Sequence, residues 1–169
     1  MITCLDAYYR EGQTTAACVL ADKWTDAAPH AELVRVLPTQ QPYVPGQLFR
    51  RELPALLAVL AEIGSPLEAA VVDGYVWLSR DYHPGLGAHL YKALGEGIPV
   101  VGVAKTRYVG ASGIAVTRGR SRSPLFITAA GIPVEQAAAH IREMHGDSRI
   151  PTLLKRVDGL SRSSARASI

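Results

Sequence analysis

The chain has 169 residues, 48% of them hydrophobic and 20% charged, with a formal net charge of +3. That length and balance suit one globular domain burying about two thirds of its surface. Two cysteines, Cys4 and Cys18, stand outside any CxxC pair or histidine cluster, which argues against a disulfide scaffold or structural zinc site and points to a reducing cytoplasm.

In chain order, residues 2–9 predict a strand, residues 10–13 a turn and residues 14–21 its antiparallel partner. A third strand is expected at Ala31–Leu37, where Val34 and Val36 share one face. Asp6 falls inside the first strand, either facing solvent or belonging to a site. The segment Pro42-Tyr43-Val44-Pro45-Gly46 is a stiff, extended connection that presents Tyr43. Pro54 suits the first turn of a helix whose stripe is Leu56, Leu57, Leu60 and Ile63, with Glu52 just ahead of it, where the helix dipole favours a carboxylate.

The run Ala69-Ala70-Val71-Val72 reads as a strand buried on both faces, and it delivers Asp73 to its C-terminal end. Open α/β sheets place ligands at that edge, and a carboxylate buried there without a partner costs several kcal/mol. A loop from Gly74 to Gly85 follows, carrying Tyr75, Trp77, Tyr82 and His83. Trp77 suits either base stacking or a hydrophobic gap under that loop. Leu86–Leu94 predicts a helix, and Pro99–Lys105 a second short apolar strand. A right-handed crossover between the two strands brings Asp73 and Lys105 to the same edge. A hairpin over 113–117 and 124–128, a helix over Val134–Met144 and a shorter helix over Arg149–Leu160 complete the order. The Ser/Arg-rich residues 161–169 are expected to form a flexible tail behind a single domain of residues 1–160.

Basic residues crowd the C-terminal stretch (Arg149, Lys155, Arg156, Arg162, Arg166) and alternate at Arg118, Arg120 and Arg122. This suits a polyanionic partner or a solvated face. No apolar run approaches the roughly 20 residues that span a bilayer, and the N-terminus does not read as a signal peptide. No obligate protein partner is evident.

Three meandering strands, a crossing helix and alternating further elements give the order of a ribonuclease H-like α/β fold, a central mixed sheet flanked by helices. In that layout Asp6 and Asp73 lie on adjacent strands, and Glu52 approaches from the helix side. Clustered carboxylates repel unless a cation intervenes, and Mg2+ or Mn2+ suits oxygen ligands. Such a centre supports phosphodiester hydrolysis. The phosphate loop, dinucleotide fingerprint and nucleophile elbow are all absent from the sequence.

Tyr43-Val-Pro-Gly-x-Leu, Arg51-Glu52-x-Pro54, Val72-Asp73-Gly74 and Gly102-Val-Ala-Lys105, closed by Arg149-Ile-Pro151 and Asp158, resemble the endonuclease V family. The resemblance implies a Mg2+- or Mn2+-dependent enzyme that cuts DNA or RNA 3′ to a deaminated base, chiefly inosine. It makes Asp6, Glu52, Asp73 and Asp158 metal-binding acids, and Lys105 the cation beside the scissile phosphate. Tyr43, Pro45 and Gly46 match a wedge that fills the space of a displaced base, and Gly85 and His89 are further nucleic-acid contacts. The chain departs from the family pattern after Gly74, in a segment about one residue longer, and at Thr128–Pro133. An alternative is a nucleic-acid-binding relative with lost or redirected catalysis and a different lesion or structure specificity.

Overall fold

The computed structural model describes residues 1–39 and 44–167, with side chains through residue 165. The chain opens with strands β1 (Ile2–Arg10), β2 (Gln13–Ala21) and β3 (Ala31–Pro38), a continuous antiparallel meander. Strand β4 (Ala69–Asp73) pairs parallel to β1, and β5 (Val100–Ala104) parallel to β4. Strand β7 (Leu125–Ala130) returns antiparallel to β5, and the short β6 (Ile114–Val116) closes that edge. The sheet order is β3-β2-β1-β4-β5-β7-β6, so the two acid-bearing strands β1 and β4 are neighbours inside the sheet.

Helices α1 (Phe49–Leu60) and α2 (Leu86–Ala93) cover one face of the sheet; α3 (Val134–Glu143) and α4 (Thr152–Ala167) cover the other. The two-residue period of the strands sorts their side chains between these layers. Leu5, Ala70 and Val72 pack with Leu56 and Val59 of α1, whereas Cys4, Ala69 and Val71 pack with Leu153 and Val157 of α4. Burial of both faces explains why β4 and β5 read as continuous apolar runs rather than alternating ones.

The sheet follows the expected strands closely, and the helices differ at their ends. Helix α1 begins at Phe49 and holds Pro54 inside its second turn. Proline lacks an N–H and clashes with the carbonyl four residues back, which made it look like a starting residue. The preceding turn is satisfied otherwise: Arg51 N–H donates to Leu48 O (2.9 Å) and Arg50 N–H to Gln47 O (3.1 Å). Glu52 therefore lies within the first turn of α1. Helix α4 runs to Ala167 with Ser161 and Ala165 buried, so residues 161–167 of the expected tail are helical. No helix among the described residues is long and apolar enough to cross a membrane.

Candidate active site

Asp6 continues the row Ile2, Cys4 on β1, and Asp73 continues the row Ala69, Val71 on β4. The parallel register pairs Leu5 with Val72, so one further step sets the two acids side by side at the C-terminal edge of the sheet. Both rows face α4, which brings in Asp158. One carboxylate oxygen from each of Asp6, Asp73 and Asp158 lies within 4.8 Å of the others.

Burial, and then the crowding of acids, raises the pKa of two carboxyl groups here. Asp6 is pushed up to about 6, mainly by burial, with Asp73 and Asp158 adding to the rise and the Ser161 hydrogen bond opposing it. Glu52 is pushed up to about 7 by burial and by the charges of Asp6 and Asp73. Glu52 thus feels the charges of Asp6 and Asp73, but it is not among the three acids whose oxygens meet within 4.8 Å. These are oxygen donors only, half-buried and crowded, which is the donor set a hard divalent cation takes.

Lys105, one residue past β5, meets Asp73 with Nζ 2.5 Å from Oδ2. Its backbone is fixed from behind, because the Arg149 guanidinium donates to Lys105 O and to Pro124 O (2.7 Å). Arg149 therefore works as a strut that ties the start of α4 to the loop carrying Lys105. Gly102 makes room for the turn after Asp73: a Cβ there would stand 2.6 Å from Gly74 O and 2.8 Å from Val76 N. Lys155 also lines the cleft, and its Nζ donates to Ser148 Oγ (2.6 Å).

The remaining predicted residues distribute differently. Tyr43 lies outside the described residues. Pro45 and Gly46 form an exposed turn ahead of α1, with Gln47 N–H donating to Val44 O (3.0 Å) and Gly46 at φ +77°. That proline–glycine pair suits a type II turn, whose third residue needs a positive φ. Gly85 starts α2 and donates its N–H to Val76 O (2.8 Å). His89 stacks on Phe49 of α1 at a centroid distance of 3.7 Å, and burial lowers its pKa. The structure does not bring Gly85 or His89 into the acidic group.

Two further residues touch these acids, neither of which the sequence assigned to the site. Ser161 Oγ lies 2.5 Å from Asp6 Oδ2 and 2.9 Å from Asp158 O. Arg162 Nε donates to Asp158 Oδ1 (3.1 Å) and its guanidinium caps the Tyr8 ring at 4.9 Å. Their spacing from Asp158, three and four residues on, puts them on the same face of one helix. That was the available signal.

The sequence profile of the family described as Endonuclease V matches residues 1–150. The chain belongs to the endonuclease V family. It is 43% identical over 101 residues to endonuclease V of Xanthomonas campestris pv. campestris (strain B100), a match covering 59% of this chain and 41% of that protein. The chain thus spans less than half the length of this curated relative. The crystal structure of endonuclease V from Streptomyces avermitilis superposes with a TM-score of 0.80 at 26% identity, covering 99% of this chain and 82% of that one. Endonuclease V of Ciona intestinalis, crystallised in complex with a 24mer DNA containing an inosine followed by a ribo-adenosine, superposes at 0.78 with 15% identity, covering 99% and 87%. These endonuclease V structures carry the ribonuclease H-like arrangement found here, which bears out the fold expected from the element order.

Proposed function

We propose that the chain is a divalent-metal-dependent endonuclease that hydrolyses a phosphodiester of DNA or RNA beside a deaminated base such as inosine. The carrying observation is the meeting of Asp6, Asp73 and Asp158 within 4.8 Å, with Lys105 on the same cleft. Membership of the endonuclease V family and the inosine-containing DNA bound by the Ciona relative support the substrate class.

Asp6, Asp73 and Asp158 would hold the ion, Mg2+ or Mn2+, with Glu52 supplying a further carboxylate at the border of the group. When bound, such an ion offsets the acids' repulsion, lowers the pKa of the attacking water and stabilises the leaving oxygen. Lys105 brings a fixed positive charge to the cleft, suited to the charge that develops on the phosphate oxygens. Arg149 keeps that lysine in place through its carbonyl. Tyr43 with the Pro45–Gly46 turn is assigned to the space of the displaced base, and Gly85 and His89 to the border of the nucleic-acid path. The buried thiols of Cys4 and Cys18 support a cytoplasmic setting.

The test is nicking of inosine-containing DNA and RNA strands in Mg2+ and Mn2+. Asp6→Ala or Asp73→Ala is expected to lower the rate at least about a hundred-fold, since charge stabilisation at a metal centre supplies several kcal/mol. Undiminished cleavage by both variants overturns the reading.

A further inference from the structure

The two loops that leave Asp73 and Lys105 touch each other. The first folds into a narrow finger. Leu78 N–H donates to His83 O (2.8 Å), Tyr82 N–H to Ser79 O (3.2 Å), and Trp77 pairs with Pro84 as an isolated bridge. Trp77 supports the finger from below, its indole N–H donating to Ala129 O (2.9 Å). It is therefore the gap-filling residue of this loop. Tyr82 stands edge-on to it, with centroids 5.3 Å apart and planes at 90°. Tyr82 adopts φ +58°, which is sterically costly for a residue with a bulky side chain, and its surface remains 68% exposed.

The second loop is pinned by Tyr75. Its hydroxyl donates to Thr106 O (2.9 Å) and accepts the Tyr108 N–H (3.0 Å). The Tyr108 backbone is thereby fixed while the residue stays 51% exposed. A Cβ on Gly110 would lie 3.8 Å from Leu78 O, so this loop leans on the finger. Arg107 and Tyr108 border the same cleft as Asp73 and Lys105. Arg80 and Arg107 are exposed, Arg80 two positions before Tyr82 with Asp81 between them, and Arg107 next to Tyr108 in the chain.

Each ring contacts a less exposed aromatic, Tyr82 on Trp77 and Tyr108 on Tyr75, yet half or more of each residue stays in water, where its apolar surface gains nothing for folding. The combination of exposed rings, arginines close by in the chain and, for Tyr108, a wall shared with Asp73 and Lys105 fits one chemistry. Unpaired bases stack on aromatic faces while their phosphates meet cations. A protein seated on this face would cover the cleft, whereas a strand passing through the cleft must cross its rim. We infer that Tyr82 and Tyr108 form a stacking platform for unpaired bases of the strand engaged in the cleft. The chain then prefers substrates that are single-stranded on this side. This inference rests on the endonuclease reading above.

The experiment compares binding of a labelled inosine-containing single strand and its fully paired duplex by fluorescence anisotropy in EDTA, where cleavage is silent. Tyr82→Ala and Tyr108→Ala are each expected to weaken single-strand binding roughly ten-fold, with a much smaller effect on the duplex. Tyr82→Trp, which keeps a ring, is expected to retain the affinity, and thermal melting of each variant checks its fold. A wild-type chain that nicks in Mg2+ while the Tyr82→Ala, Tyr108→Ala double variant binds the single strand unchanged overturns the platform alone. Equal losses on strand and duplex overturn it too. If wild type binds the single strand through both rings yet never nicks, the platform stands and the catalytic reading falls.

Discussion

Ser161 has one proton to give and two acceptors within reach, Asp6 Oδ2 and Asp158 O. Donation to Asp6 partly offsets the burial that drives that carboxyl up to about 6. Ser161→Ala removes the donor, so Asp6 is expected to hold its proton to still higher pH. Calorimetric Mn2+ titrations at a series of pH values should show the half-binding pH moving upward, and the thermal midpoint should fall by an amount corresponding to about 1–3 kcal/mol. A variant matching wild type in both would show that Ser161 does not position Asp6. The residue was illegible in the sequence for a physical reason. Ser161-Arg-Ser-Ser looks like a solvated tail, and only the phase of α4 against the sheet makes its first serine interior. Asp6, Asp73 and Lys105 were legible because each sits in or just past an apolar strand, where a charge has no packing role. Tyr82 was noticed but given no role, since exposure depends on which ring the loop buries.

Among the elements, the strands were the easiest to read. Alternation and short apolar runs fix strand faces locally, and the β4–α2–β5 unit leaves little topological choice. Helix ends were harder, because α1 tolerates Pro54 within its second turn and α4 carries a polar sequence on a half-exposed surface. The last turns of α4 bury Ser161 and Ala165, and the helix packs against β1 and β2. Removing residues 161–169 leaves Asp158 in the chain but strips its helix of these contacts and of Arg162. Such a truncation is expected to lower the thermal midpoint and weaken Mn2+ binding, both read by differential scanning calorimetry with and without the ion. Identical melting and identical ion-induced shifts would show that the extension contributes nothing.

At the level of the whole molecule, the acids set how stability depends on pH. Asp6 and Glu52 have folded-state values of about 6 and about 7, above their usual 3.8 and 4.5. The native state therefore holds protons that the unfolded chain releases, and stability is lost as pH rises through that window. In EDTA the thermal midpoint is expected to carry a downward contribution from about pH 4 to about pH 7, which Asp6→Asn reduces and added Mg2+ offsets. A midpoint whose slope is the same in wild type and Asp6→Asn would show that Asp6 is not perturbed. The site also joins parts of the chain that are far apart in sequence: Asp6 meets Ser161 across 155 positions, and Asp158 lies beside it. Long-range closure of this kind comes late, because its entropy cost precedes its reward. The sheet strands precede α4 in the chain, so the acidic group stays open until that helix has docked. Release of α4 in a folded molecule opens it again. A copy in which α4 has not docked therefore lacks the assembled group of three acids.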